Sequence, residues 1–247
     1  MSKIKKLIKR IIKGNPKPVF ARITCSNPNE LLKGRKVVIT GGGRGLGCAM
    51  AKKFFSEGAD VLITGRKEDK LKKSSEAIGC KYMVYDVTDF DNCETFIEKA
   101  DELLNGLDTL VNNSGVSLHE PTFFDVTPES FDAQIVATNF KGPLFLSQKF
   151  ITLHKKKGKT GTILFTSSET GETVESRPYG YTKAAINSLV KGLANLFVKE
   201  GIRINAVAPG ITTSDITGFK ADGNLSCPSN TLGRVYLPEE VAEVACF

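Results

Sequence analysis

In Lys36-Val-Val-Ile-Thr-Gly-Gly-Gly-Arg-Gly-Leu-Gly47 an apolar run stops at a glycine cluster, and a helical pattern follows. Val37, Val38 and Ile39 have the length and β-branching of a buried strand, and Ala49, Met50, Phe54 and Phe55 recur at helical spacing beyond them. The unit is a strand, a tight turn and a helix start. Gly41, Gly45 and Gly47 are spaced G-x-x-x-G-x-G; glycine is needed where a chain turns sharply or where backbone must approach a ligand without a Cβ in the way. Free N–H groups in the helix's first turn would face an anion. Three close glycines also suit a plain turn, so the rest of the chain has to decide.

Downstream, the pattern alternates. Strands are predicted at 36–40, 60–64, 81–85, 108–112, 161–166 and 202–207, with helices near 45–57, 67–78, 90–105, 128–154 and 178–200. Strands alternating with helices imply right-handed βαβ crossovers and a doubly wound parallel sheet, an α/β fold. Small, polar or turn residues follow every strand: Gly41 to Gly47, Gly65-Arg66, Asp86-Val87, Asn112 to Gly115, Ser167-Ser168 and Pro209-Gly210. In an open parallel sheet that edge is where ligands bind.

The 247 residues are 40% hydrophobic and 25% charged, and no apolar run approaches the ~18 residues of a membrane span. Of the 34 basic residues, 8 precede the first acidic residue, Glu30, which leaves 26 basic against 27 acidic in the body. The net charge of +7 therefore belongs to the tail. There Ile4, Leu7, Ile8, Ile11 and Ile12 form one face of a helix, and Lys5, Lys6, Lys9, Arg10 and Lys13 take the other. Residues 1–30 read as a basic amphipathic helix and linker. Peripheral attachment to an anionic membrane through residues 3–13, and packing on the body or a neighbouring subunit, both fit. Residues 31–247 read as one domain. Six cysteines without a C-x-x-C pair or a nearby histidine cluster argue against a metal site and a disulfide framework, as in a cytoplasmic protein. No aromatic-interleaved basic face suggests nucleic-acid binding.

Where a dinucleotide fold would carry a carboxylate for a ribose 2′-hydroxyl, the chain reads Ile63-Thr-Gly-Arg-Lys67. Arg66, with Arg44 in the glycine turn, suits a 2′-phosphate and favours NADP(H). Pro178-Tyr-Gly-Tyr-Thr-Lys-Ala-Ala185 opens the last long helix; Tyr179 and Lys183, four apart, share a face, and Tyr181 points elsewhere. An ammonium beside a phenol is expected to lower its pKa, giving a general acid for carbonyl reduction. Ser168 could bond the same oxygen.

These stretches together resemble the short-chain dehydrogenase/reductase family, from about Leu31 to Phe247: Thr40 to Gly47 for T-G-x-x-x-G-x-G, Asn112-Asn-Ser-Gly115 for N-N-A-G, Tyr179 to Lys183 for Y-x-x-x-K, and Pro209-Gly210. The resemblance, closest in kind to 3-oxoacyl-[acyl-carrier-protein] reductases, implies a three-layer Rossmann fold, hydride transfer between a nicotinamide and a carbonyl or alcohol, and a homo-oligomer. It implies that Asn139 holds a relay water, Ser168 orients the substrate, Tyr179 exchanges the proton, and Lys183 tunes Tyr179 and holds the nicotinamide ribose. Cofactor contacts carry over to Arg44, Leu46, Asp86, Val87, Asn113, Gly115, Ile211, Thr212 and Ser214.

Three departures stand out. Ser114 replaces alanine, and only 11 residues separate Ser168 from Tyr179, two fewer than usual, so Ser167 or Ser168 could serve. The chain also stops inside an amphipathic helix at Val241 to Phe247, where the family continues into a seventh strand; a truncated sequence is expected. The stretch Ile216 to Leu232, where a substrate lid is expected, names no substrate. A 3-oxoacyl thioester comes first, then a sugar or polyol; a non-catalytic NADP-binding scaffold at a membrane is the reading of a different class.

Overall fold

The computed structural model describes residues 30–173, 176–213, 219 and 223–247. The amphipathic segment 3–13, its linker and Ser214 lie outside the described residues.

The elements run β1 (Lys36–Thr40), α1 (Gly45–Ser56), β2 (Asp60–Gly65), α2 (Glu68–Ile78), β3 (Lys81–Val84), α3 (Cys93–Leu103), β4 (Thr109–Asn112), α4 (Gly142–Lys157), β5 (Gly161–Thr166), α5 (Pro178–Phe197), β6 (Ile202–Val207) and α6 (Pro238–Cys246). The strands form one parallel sheet in the order β3-β2-β1-β4-β5-β6. Each predicted strand is present to within a residue at either end.

The alternation of β1 explains the layers. Successive strand side chains point to opposite faces. Val38 joins Leu62, Phe96, Leu110, Phe150 and Ile163 in a core under α3, α4 and α5. Val37 and Ile39 join Met50, Phe54, Ile63 and Val111 under α1 and α6. Both faces are covered, so the strands are apolar throughout, as parallel sheets require. Lys53 of α1 binds Glu57 at 2.7 Å and Glu243 of α6 at 2.9 Å, which fastens the last helix to the first. No helix among the described residues is long and apolar enough to cross a membrane. The described cysteines, Cys48, Cys80, Cys93, Cys227 and Cys246, are all unpaired.

One predicted element differs. The helix expected over 128–154 is two pieces: Ser130–Lys141 is wound as a π-helix, and α4 follows from Gly142. A continuous α-helix would need the N–H of residue 143 to donate to the carbonyl of Asn139, and residue 143 is proline. The wider winding also brings Gly142 against the loop after β3, where a Cβ would lie 2.7 Å from the Val87 carbonyl oxygen.

Candidate active site

Strand order reverses between β1 and β4, and the carboxyl ends of the strands border a single cleft of about 980 Å³ there. Thr40, at the end of β1, pins this switch point. Its hydroxyl donates to the Val111 carbonyl at 3.2 Å and accepts from the N–H groups of Asn113 at 3.0 Å and Ser114 at 3.1 Å. The Asn113 amide nitrogen returns a bond to the Thr40 carbonyl at 3.0 Å. The turns after β1 and β4 thus form one body.

The expected residues fall on this cleft by turns. Gly41, Arg44, Gly45 and Leu46 line it from the first, Arg66 from the second, Asp86 and Val87 from the third, and Asn113 and Gly115 from the fourth. Pro209, Gly210, Ile211 and Thr212 close it after β6. Gly47 is different: it packs behind the turn, where a Cβ would collide with the Gly41 carbonyl and sit 2.5 Å from the Asn113 side-chain nitrogen. Its role is close approach within the turn. Gly41 and Gly45 have φ of 69° and 54°, the left-handed region that glycine enters freely. Asp86 is held by Thr88, which donates from its N–H at 3.0 Å and its hydroxyl at 2.9 Å, and Arg66 stands 4.0 Å away.

Ser168, Tyr179 and Lys183 line the other end. Pro178 occupies the first turn of α5, where a missing N–H is harmless, so Tyr179 enters the cleft at the helix start. Lys183, a turn further on, is buried, donates to the Thr166 carbonyl at 2.7 Å and lies over the Tyr179 ring, 5.5 Å from its centroid. Burial lowers its amine to about 8. The phenol of Tyr179 is pushed up by burial, opposed by a hydrogen bond with Ser168. The expected lowering of Tyr179 by Lys183 is therefore not what the structure contains: desolvation outweighs an amine placed over the ring.

The two candidate serines separate. Ser167 turns to α5, bonding Asn187 Oδ1 at 2.5 Å and the Lys183 carbonyl at 3.4 Å. Ser168 faces Tyr179 instead, and its oxygen accepts from the N–H and hydroxyl of Thr170 at 3.3 and 3.0 Å. Asn139 does not line the cleft. Its side chain binds both polar groups of Val116, at 2.8 Å each, and fixes the loop that carries Gly115. A Cβ on Gly115 would be 3.6 Å from Asn139 Oδ1 and 3.8 Å from Lys183 Nζ, so this loop closes over the amine.

Sequence reasoning passed over Lys67, Lys70, Thr170 and Arg177, which also line the cleft. Lys70 carried a signal, four residues beyond Arg66 at the start of a helix. Thr170 carried none, because its partner is set by the turn after β5. His119, expected to be an exposed loop residue, is exposed and also borders the cleft. The cleft suits a dinucleotide in volume, and at Gly45, which lines it, nothing lies within 4 Å of where a Cβ would stand, so the turn is open to an approaching group.

A family model described as short chain dehydrogenase matches residues 35–224. Oxidoreductase asL5 of Sarocladium schorii is 34% identical over 230 residues, covering 88% of this chain and 89% of that protein. The 3alpha-hydroxysteroid dehydrogenase of Mediterraneibacter gnavus is 32% identical over 228 residues, 88% of this chain and 90% of that one. The crystal structure of 3-ketoacyl-(acyl-carrier-protein) reductase from Brucella melitensis complexed with NADH superposes with a TM-score of 0.79 at 28% identity, covering 87% of this chain and 91% of that one. On its sheet, its cleft and these similarities, the chain belongs to the short-chain dehydrogenase family of oxidoreductases.

Proposed function

We propose that residues 31–247 act as one catalytic unit, an NADP(H)-dependent reductase that converts a ketone, a 3-oxoacyl thioester or a similar compound, to an alcohol. The observation that carries this reading is the meeting of Ser168, Tyr179 and Lys183 at one end of a dinucleotide-sized cleft. When bound, the nicotinamide supplies the hydride. Tyr179 gives its phenolic proton to the oxygen that becomes the alcohol, and Ser168 donates a hydrogen bond to the same oxygen. Lys183 reaches the nicotinamide ribose from beneath the Gly115 loop, and Asn139 keeps that loop, and a water of the proton relay, in place. Gly41, Gly45 and Leu46 would hold the pyrophosphate, Asp86 and Val87 the adenine, and Pro209 to Thr212, with Ser214 further along the chain, the nicotinamide end.

For NADP(H) over NAD(H), the support is the cationic group Arg44, Arg66, Lys67 and Lys70 on one cleft wall, with Gly65 ending β2 and Arg66 following it where a carboxylate would otherwise stand. The test is consumption of NADPH and NADH at 340 nm with 3-oxoacyl thioesters, keto sugars and diketones. Turnover with NADPH that vanishes in Tyr179→Phe supports the reading; NADPH binding without turnover on any of them turns it toward a scaffold. The charge of the tail favours one addition: residues 3–13 place a cytoplasmic homo-oligomer against anionic membrane. Flotation with anionic liposomes should be lost in a chain starting at Asn29; equal flotation by both chains removes this addition.

A further inference from the structure

A serine hydroxyl has one proton to give and two lone pairs to fill. In the turn Glu169–Gly171 the Ser168 oxygen is the cap, and both of its acceptor positions are taken by Thr170: the backbone N–H at 3.3 Å and the hydroxyl at 3.0 Å. The only use left for the Ser168 proton is donation, and the group it faces is Tyr179, on the cleft floor. The turn that presents Thr170 is itself fixed. The Glu169 N–H donates to the Pro209 carbonyl at 3.1 Å, and Asn187 of α5 donates to Glu172 at 2.8 Å. Gly171 packs so tightly on α5 that a Cβ would lie 2.8 Å from the Lys183 carbonyl carbon.

We propose that Thr170 is a positioning residue whose hydroxyl commits the Ser168 proton to the reacting oxygen. The proposal rests on the reading of Ser168 and Tyr179 as the reaction centre. With the Thr170 hydroxyl gone, one lone pair of Ser168 is free, the hydroxyl can rotate, and its proton is no longer dedicated to the oxygen at Tyr179. The backbone N–H remains, so the turn keeps its cap.

The test reads Tyr179 directly. In full-length protein carrying ¹³Cζ-tyrosine, the Tyr179 resonance is identified by its absence in Tyr179→Phe and titrated with alkali. Lys183, with its amine lowered to about 8, has lost its proton before the phenol titrates; the other charged or titratable side chains named on this cleft beside the phenol are Arg177, His119 and Glu169. Thr170→Val should raise the midpoint by roughly half to one pH unit, the worth of one hydrogen bond to a phenolate. Thr170→Ser should restore it, and adding Thr170→Val to Ser168→Ala should produce no further rise. Thr170→Ala is read the same way if the valine protein does not fold. A Thr170→Val midpoint equal to that of the parent, or an equal rise in the Ser168→Ala background, overturns the proposal. With NADPH and an acetoacetyl thioester, Thr170→Val should lower kcat about tenfold and leave the KM for NADPH unchanged. The titration needs neither substrate nor cofactor, so a parent protein without turnover counts against the reductase reading and not against this one.

Discussion

The wall of the cleft formed after β1 and β2 is a glycine turn flanked by the side chains of Arg44, Arg66, Lys67 and Lys70, whereas the wall formed after β5 and along α5 is a set of side chains that hold one another. On the first wall the constraint is room: Gly42 leaves space for Ile63, and Gly47 leaves space for Gly41 and Asn113. On the second it is hydrogen-bond direction: Thr170 orients Ser168, Thr166 anchors Lys183, and Asn187 retains Ser167. Steric constraints fail by shifting backbone, and polar constraints fail by losing a proton's direction while the fold stays intact. Substitutions on the two walls should therefore separate into loss of folding or cofactor binding on one side and loss of turnover on the other.

The largest expected effect breaks the polar wall alone. Tyr179→Phe should reduce turnover about 10³-fold with the melting temperature and NADPH affinity little changed, as measured by single-turnover kinetics and fluorescence titration. A matching loss of NADPH affinity would put Tyr179 in the binding wall instead.

Next comes the buried amine of Lys183. Burial lowers it from 10.5 to about 8, so the unfolded chain holds the extra proton between those values and stability contributed by this site rises with pH there. Below about 8 both states are protonated and the folded state carries the full desolvation penalty. Urea midpoints of the parent and Lys183→Met, compared near pH 7 and near pH 10, should show a gap that shrinks at the higher pH by a few kcal/mol. A constant gap would mean the amine is not desolvated.

On the glycine wall, Gly42→Ala puts a Cβ 2.6 Å from Ile63, a fully buried strand residue, and should destabilise the protein by about 1–3 kcal/mol, lowering Tm by several degrees. The turnover of the folded fraction should change much less. The smallest effect is expected at Arg66, which is exposed and holds Asp86 only at 4.0 Å. Arg66→Asp should shift the ratio of kcat/KM for NADPH over NADH toward NADH by about tenfold, with stability unchanged.

The two walls also differed in how far they could be read from sequence. The glycine wall was legible because room is a local requirement: Val37 to Ile39 followed by Gly41, Gly45 and Gly47 states a strand, a turn and a helix in twelve residues. The parallel sheet and the residues at its carboxyl edge followed from the alternation, whereas the strand order β3-β2-β1-β4-β5-β6 is visible only in the structure. The polar wall was legible only in outline. Tyr179 and Lys183 declared a shared face by their spacing, yet the rise of the phenol is a consequence of desolvation by elements far apart in the chain. Ser168 was preferred to Ser167 only on the context Ser167-Ser168-Glu-Thr-Gly171, and what separates them physically, Asn187 holding one and Thr170 the other, is not written in that stretch. The π-wound stretch before Gly142 was read as ordinary helix because its apolar pattern is compatible with either winding, although Pro143 marked the place.

The Thr40 hydroxyl has a consequence for timing. Because it holds the amides of Asn113 and Ser114 from a fully enclosed position, those two hydrogens can exchange with solvent only when the seam between the first and fourth turns opens. Their exchange rate is thus a built-in clock for cleft opening, readable without any ligand, and a bound dinucleotide lying across the seam would slow both hydrogens by the same factor.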